Sequence, residues 1–422
     1  MSDELYAENS PSHFWRLLVD PPPAAETWAE AIRRSAAVLP PGPRAQSERI
    51  DSILTQTLGE GQFGPGHWEL GHATRAYYTL KPLLPRSLTR HVKRAYGTQR
   101  SSARHLTWPI ESRYVRFQFG AVRHLLQLLH RSSVPFIGFW PGGRRYAFVL
   151  THDIETAEGQ ASALNVADLD ARFGFRSSFN FVPERYRVDR GLMEELRARG
   201  FEIGLHGLRH DGKDFGSHRQ FIRRAERMNR FIGEFGAVGF RAPLTLRNPE
   251  WMQTLDIEYD GSFFDTDPYE PIPGGTMCIW PFQLGKFIEL PYTLAQDYTV
   301  AEVLGESQPR LWLEKVEFIR AHGGMALLNA HPDYLRTPQT WRMYSDFLSA
   351  MATRADFHHA LPRELARWWR ARAAAPAVQD LAGGCIAYIG VDGAITRSEP
   401  ARPRDQCASR TGDVRSSAER IA

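Results

Sequence analysis

The feature that most constrains the fold of this chain is an alternation of apolar runs and helical patterns between residues 141 and 373. The helical pattern is clearest after Ser217, where apolar residues recur every three or four positions as far as Phe235. The apolar runs, bounded by turn residues, lie at Tyr146–Thr151, Ser177–Val182, Phe201–Leu205, Val238–Phe240, Phe287–Leu290 and Met325–Ala330. Such alternation predicts an α/β fold with a parallel sheet, and roughly six or seven strands favour a β/α barrel over an open sheet.

The segments on either side of this region have different patterns. Residues 1–140 indicate a helical, arginine-rich region of unknown role. Its basic residues are more typical of a solvated face than of a surface for an acidic partner, and they include Arg86, Arg90, Arg94, Arg100 and Arg104. Residues 374–422 lose periodicity and end in a polar run, which predicts a disordered tail. One apolar patch in that tail, CIAYIGV from Cys385, has the pattern of an isolated strand.

Composition excludes several classes of partner and location. The net charge is +4, but the basic residues are nearly all arginine and form no dense stripe, which argues against a nucleic-acid partner. No stretch approaches the roughly 18 to 20 apolar residues that cross a bilayer, and the amino-terminal pattern does not match a signal peptide. Three cysteines (Cys278, Cys385 and Cys407) without C-x-x-C spacing fit a reducing compartment. We therefore expect a cytoplasmic protein without a membrane span; nothing in the sequence indicates its oligomeric state.

Four of the predicted strands run directly into residues with acidic, imidazole or guanidinium side chains. In β/α barrels the carboxyl ends of the strands form the rim that carries catalytic groups. The residues at these strand ends are, in chain order, Asp153 and Glu155, His206 and His210, Arg241, and His331. Two histidines four positions apart can point the same way, and two imidazoles with one carboxylate are a common catalytic zinc shell. The pattern predicts a divalent-metal site, with Zn²⁺ favoured and Co²⁺ or Mn²⁺ as alternatives.

The order and spacing of these residues also resemble a known family. T-H-D-I-E (Thr151–Glu155), H-G-L-R-H (His206–His210), R-A-P (Arg241–Pro243) and L-L-N-A-H (Leu327–His331) are similar to successive motifs of the polysaccharide deacetylases, the carbohydrate esterase family 4 or NodB-homology group. The resemblance spans Tyr146 to Pro332, somewhat under half of the chain. It implies a distorted (β/α)7 barrel and a divalent-metal-dependent amide hydrolase that acts on N-acetyl groups.

The resemblance assigns a role to each strand-end residue. It implies that Asp153 is the general base and that Arg241 orients it. It also implies that His331 is the general acid and that His206 and His210 are metal ligands.

The chain departs from the family pattern at three positions. Ile154 stands where the family usually has a ligating aspartate, and Glu155 fits a variant in which the acidic ligand lies two positions after the base. His152 replaces the usual phenylalanine and is a candidate extra ligand, substrate contact or supporting group. Leu244 follows R-A-P where the family has tyrosine, which keeps a backbone N–H for an oxyanion but loses an aromatic surface.

The segment from Tyr259 to Pro268 is dense in aromatic and acidic residues, as a substrate-facing loop would be. A turn-rich strand exit with side-chain caps explains it equally well. Asp265 in this segment, Tyr292 and Asp297 are candidate cleft contacts.

Three functions fit these residues. The first is removal of N-acetyl groups from a sugar or glycan precursor. The second is hydrolysis of a cyclic imide or ureide, as by allantoinase-like enzymes of the same superfamily; the absent tyrosine and the expected cytoplasmic location favour such a small substrate. The third is a catalytically silent carbohydrate-binding scaffold, against which the presence of both Asp153 and His331 argues.

Overall fold

The computed structural model describes residues 3–69, 71 and 106–397, and these contain twelve α-helices and twelve β-strands. The strands are β1 (Ser133–Ile137), β2 (Tyr146–Ile154), β3 (Ser178–Phe181), β4 (Glu202–Leu205), β5 (Gly239–Phe240), β6 (Tyr259–Asp260), β7 (Phe282–Leu284), β8 (Phe287–Glu289), β9 (Met325–Ala330), β10 (Phe357–His359), β11 (Ile386–Gly390) and β12 (Ile395–Arg397). The helices are α1 (Pro11–Trp15), α2 (Ala25–Ser35), α3 (Pro41–Arg44), α4 (Ile50–Thr57), α5 (Arg113–Leu128), α6 (Ala157–Arg172), α7 (Arg190–Ala198), α8 (His218–Phe235), α9 (Pro249–Met252), α10 (Arg310–His322), α11 (Pro338–Ala352) and α12 (Pro362–Ala374).

Seven parallel strands form a closed but irregular ring: β2, β3, β4, β5, β6, β8 and β9. Successive strands pair in that order, and β9 lies against the other edge of β2. The ring closes where Leu294, just beyond β8, bridges to Leu328 of β9 in parallel register. The predicted distorted (β/α)7 barrel is therefore confirmed. Its distortion lies in the two-residue strands β5 and β6 and in this single closing bridge.

The sequence patterns explain how these elements form. All nine residues of β2 are buried, as expected for a strand that has neighbours on both edges and is covered on both faces. Helix α8 is capped at its amino end by Ser217, whose side chain accepts a hydrogen bond from the Gln220 N–H. It is capped at its carboxyl end by Gly236, whose φ of 54° is left-handed. Its buried face is the predicted stripe from Phe221 to Phe235.

The flanking regions differ from their predicted character. Strand β1 lies within the region expected to be helical, and it pairs antiparallel with β11 from the predicted tail, which in turn pairs with β12. The expectation of disorder from residue 374 is therefore wrong as far as Arg397. The physical reason is the apolar patch: Ala387 and Ile389 are buried against β1. Residues 398–422 and the arginines Arg86, Arg90, Arg94, Arg100 and Arg104 lie outside the described residues.

No helix among residues 3–69 and 106–397 has the length and apolar character to cross a bilayer.

A buried carboxyl group at the start of β4 makes stability depend on pH. Glu202 is 1% exposed and accepts hydrogen bonds from the Tyr259 hydroxyl (2.9 Å) and the Arg363 N–H (3.1 Å). Burial raises the pKa of Glu202 to about 7. Because the folded chain holds this proton more tightly than the unfolded chain, stability is lost as the pH rises from about 4 towards about 7.

We expect Glu202→Gln to remove this titration. Between about pH 4 and about pH 8, the free energy of unfolding of the variant should fall by roughly 3 kcal/mol less than that of the wild type. Urea unfolding at several pH values measures the difference, with Glu26→Gln at an exposed position as the control. Equal pH dependence in all three proteins would show that Glu202 does not carry the effect.

Candidate active site

The strand ends bring the predicted residues to one cleft at the rim of the barrel. The cleft encloses about 680 Å³, its open mouth included. Its lining includes Asp153, Glu155, His206, His210, Arg241, Leu244 and His331 from the predicted set, together with Thr245, Tyr269, Glu270, Gln296, Tyr298 and Tyr334. Each member of the predicted set follows or ends a barrel strand except His210 and Leu244, which lie on the loops that follow β4 and β5.

Asp153 lies near the end of β2, 1% exposed, with its carboxylate fixed by amides from both neighbouring strands. Asn180 on β3 donates to Oδ1 and Asn329 on β9 donates to Oδ2, each at 2.8 Å. Arg241 Nε lies 3.5 Å from Oδ2. Burial alone would raise the pKa of Asp153, but the charges of His206, Arg241 and His331 and the Asn180 hydrogen bond outweigh it and lower the pKa.

The two amides were missed by the sequence analysis. A signal was present, because asparagine is depleted in strands and both residues interrupt apolar runs.

Glu155, His206 and His210 are arranged to hold a metal ion. Their candidate ligand atoms all lie within 4.8 Å of one another, and His210 Nε2 is 3.0 Å from Glu155 Oε1. His206 Nδ1 is 3.0 Å from the Arg241 carbonyl oxygen, which leaves Nε2 as the free ligating atom. The Nε2 atom of His206 is buried without a hydrogen-bond partner among the described residues, and that of His210 faces the Glu155 carboxylate. Two buried imidazole nitrogens beside a carboxylate fit a divalent cation.

The protonation states of His206 and Glu155 suit metal binding. Burial lowers the pKa of His206 to about 4 against the pull of the Asp153 carboxylate, so its ring is neutral at pH 7. Burial opposes ionisation of Glu155, but the adjacent His210 outweighs it and holds the pKa well below its ordinary value. Neutral imidazole and ionised carboxylate are the forms that bind metal.

Two further carboxylates, those of Asp333 and Asp297, hold residues of the site in position through hydrogen bonds. Asp333 accepts hydrogen bonds from the Glu155 N–H (3.0 Å) and the Thr156 hydroxyl (2.5 Å), so it fixes the backbone that carries the third candidate ligand. Asp297 does not line the cleft as expected. It accepts from the backbone N–H of His331 at 2.8 Å and from His331 Nδ1 at 2.6 Å.

His331 faces Asp153 across the cleft, with Nε2 3.9 Å from Asp153 Oδ2. Burial alone would lower the pKa of His331, but the Asp297 carboxylate outweighs it and raises the pKa to about 10. The ring is therefore protonated at neutral pH. A buried, protonated imidazole and an ionised carboxylate thus stand opposite each other.

Arg241 directly follows β5, and its side chain reaches β2. Its Nη2 donates to the Thr151 hydroxyl at 3.1 Å, and its guanidinium packs over the backbone of Gly261, with a Cβ built there only 3.0 Å from Nη2. This packing holds the guanidinium beside the Asp153 carboxylate.

The structure corrects two more of the predicted contacts. His152 points to the back of β2, away from the cleft, because successive side chains alternate along a strand. There its Nε2 is 2.9 Å from Asp170 Oδ2. Asp265 is also outside the cleft, in a buried ion pair with Lys315 at 2.7 Å. Neither residue can serve as the ligand or substrate contact that the sequence suggested.

Tyr292 lies one layer behind the cleft wall. Its hydroxyl donates to Glu270 Oε1 at 2.7 Å, and Glu270 rather than Tyr292 lines the cleft. The sequence analysis did not single out Glu270, which lies on an irregular loop without a motif.

Comparison of the sequence with protein-family models and with curated proteins gives no match. Solved structures that match include polysaccharide deacetylases, as the motifs predict. A "probable polysaccharide deacetylase" of Pseudomonas aeruginosa PAO1 matches with 16% identity and a TM-score of 0.46, over 55% of this chain and 93% of that one. The PuuE allantoinase matches with 15% identity and a TM-score of 0.46, over 56% and 94% of the two chains. At these TM-scores the likenesses are weak.

We expect His206→Ala to abolish tight binding of one divalent cation, because it removes one of the two imidazoles in the candidate ligand cluster. Zn²⁺ or Co²⁺ affinity, measured by calorimetry with elemental analysis of the purified protein, should fall by more than about 100-fold. His218→Ala, at an exposed position on α8, should bind metal as the wild type does. Stoichiometric metal in the His206 variant would refute the ligand set.

Proposed function

We propose that this chain is a divalent-metal-dependent amide hydrolase that removes an N-acetyl group from a sugar or glycan precursor. The observation that carries the proposal is the opposition of Asp153 and His331 across the cleft, 3.9 Å apart, beside the cluster of Glu155, His206 and His210. A structural metal site or a sugar-binding surface needs neither a buried base nor a buried acid. Amide hydrolysis needs both.

Glu155, His206 and His210 would hold the cation, with Zn²⁺ the first candidate and Co²⁺ or Mn²⁺ the alternatives. When bound, such a cation polarises the amide carbonyl and lowers the pKa of water, which makes both partners of the reaction more reactive.

Asp153 acts as the general base in this proposal. Its carboxylate is ionised, and Asn180, Asn329 and Arg241 fix its orientation. As water attacks the carbonyl carbon, the carboxylate takes the water's proton. A base with a fixed rotamer spends little energy on reorganisation during the reaction.

His331 acts as the general acid. The amine of an amide cannot leave as an anion, so a proton must reach the nitrogen as the C–N bond breaks. Asp297 holds the ring through Nδ1, which directs Nε2 into the cleft and keeps the imidazole protonated.

The loop after β5 supplies the candidate donor for the developing oxyanion. The Ala242 N–H is engaged by Ser262 Oγ at 2.8 Å, and Pro243 has no N–H. The next backbone donor along the loop is that of Leu244, which lines the cleft. A backbone donor directed at the carbonyl oxygen stabilises negative charge there.

The same residues also support hydrolysis of a cyclic imide or ureide. One observation favours this alternative: Leu244 lines the cleft where the resemblance implies a tyrosine, so an aromatic surface for a sugar ring is missing there. In that reaction the ring nitrogen takes the proton from His331, and no acetate is formed. Acetate release and ring opening therefore distinguish the two functions.

We expect Asp153→Asn to leave metal affinity unchanged and to lower turnover by about 10²- to 10⁴-fold, because the amide cannot accept the proton. Acetate release is measured across N-acetyl sugars and nucleotide sugars, with ring opening of cyclic amides in parallel and Zn²⁺, Co²⁺ and Mn²⁺ supplied in turn. Wild-type turnover in the variant would refute the assignment of Asp153 as the general base. Absence of metal-dependent turnover of every substrate by the wild type would refute the proposed function.

We expect Asp297→Asn to move the alkaline limit of activity to lower pH. The wild-type carboxylate raises the pKa of His331 to about 10, so its removal lowers that pKa, and the acid is deprotonated at a pH where the wild type retains its proton. The pH profile of kcat measures the change, with Asp346→Asn at an exposed position on α11 as the control. If the alkaline limit of kcat stays at the wild-type pH, His331 is not a general acid whose pKa is set by Asp297.

A further inference from the structure

The loop that carries Leu244 holds a backbone conformation that local sequence does not favour. Leu244 and Thr245 have φ values of 59° and 54°, in the left-handed region, although neither is glycine and Thr245 is β-branched. Both residues line the cleft. Such a conformation persists only where surrounding contacts impose it.

One of those contacts comes from a buried arginine. Arg247 Nη1 donates to the Thr245 carbonyl oxygen at 2.7 Å, which fixes the carboxyl end of the strained pair. The guanidinium is buried and packs over the rings of Phe263 and Phe264, with centroid distances of 4.6 and 4.8 Å. Arg247 can therefore hold the loop in place only if its charged guanidinium is itself held in position.

A carboxylate from the amino-terminal region fixes that charge. Glu60, just beyond α4, receives both Arg247 Nε (2.9 Å) and Nη2, and both side chains are 1% exposed. The same carboxylate accepts from the Gly275 N–H at 2.6 Å and lies 3.2 Å from His67 Nε2. Gly274 leaves no room for a side chain here, since a Cβ would lie 2.4 Å from Arg247 Nη2. Burial opposes ionisation of Glu60, but Arg247 and His67 outweigh it and lower its pKa to about 2.

The amino-terminal region also contacts a second part of the cleft lining. The Thr266 hydroxyl donates to the Thr107 carbonyl oxygen at 2.8 Å, and the ring of Trp108 meets that of Tyr269 edge-on at 5.3 Å. Tyr269 lines the cleft. The Leu244–Thr245 loop and Tyr269 are thus both supported by residues that precede the barrel.

We propose that Glu60 is a positioning residue of the active site, acting through Arg247 to hold the Leu244–Thr245 loop in the conformation that the reaction requires. The amino-terminal region is then part of the catalytic unit rather than an appended cover. The effect on turnover rests on the proposed function, whereas the effect on the loop does not.

The test compares Glu60→Gln with Glu26→Gln, an exposed position in the same region. Glutamine keeps the shape of the side chain and loses the charge that pairs Arg247. Hydrogen–deuterium exchange should accelerate at least about 10-fold in peptides covering 242–248 and 271–276, while β9 and α10 exchange as in the wild type. Unchanged exchange in the two loop peptides, or equal acceleration throughout the barrel, overturns the proposal.

Activity provides the second readout. With metal affinity unchanged, kcat of Glu60→Gln should fall at least about 10-fold with a smaller change in KM, because the loop acts on the developing oxyanion. Wild-type kcat or loss of metal would each overturn the proposal. If Glu60→Gln does not fold, Glu60→Asp carries the same measurements, since it retains the charge and shifts its position. A wild type that is inactive on every substrate refutes the proposed function, and the exchange data then decide the role of Glu60 alone.

Discussion

The proposed active site depends on keeping an ionised carboxylate buried at the rim of the barrel. An unpaired charge at the position of Asp153 would be prohibitively costly, so the surrounding strands must supply compensation. They do so from three directions: an amide from β3, an amide from β9, and the guanidinium that follows β5. A parallel barrel suits this purpose, because the carboxyl ends of its strands converge on one rim. Fold and chemistry are thus linked through one buried group.

Much of this arrangement can be predicted from the sequence, because it depends on residues that are neighbours along the chain. Asp153, His206, Arg241 and His331 each come directly at the end of an apolar run, so strand prediction alone brings them to the same rim. The alternation of side chains along β2 was also available: if Asp153 faces the barrel interior, His152 must face the helices. Applied strictly, that rule would have placed His152 against Asp170 rather than in the cleft.

The residues that support the site are harder to predict because their partners are distant in sequence. Asp297 and His331 are separated by 34 positions, and Glu60 and Arg247 by 187. Neither pair has a spacing or motif that reveals it. Strand β6 was missed because its two residues, Tyr259 and Asp260, lie in a segment dense in aromatic and acidic residues and form no apolar run. The predicted tail failed because β11 is stabilised by pairing with β1, which a local pattern does not show.

Asp153 and His331 illustrate how environment rather than residue type sets the role that we propose for each. Asp153 and His331 lie 3.9 Å apart, and each stabilises the charged form of the other. Each also has its own partner of opposite charge, Arg241 for the carboxylate and Asp297 for the imidazole. These partners move the two pKa values in opposite directions, so that a base stays ionised and an acid stays protonated in one cleft at neutral pH.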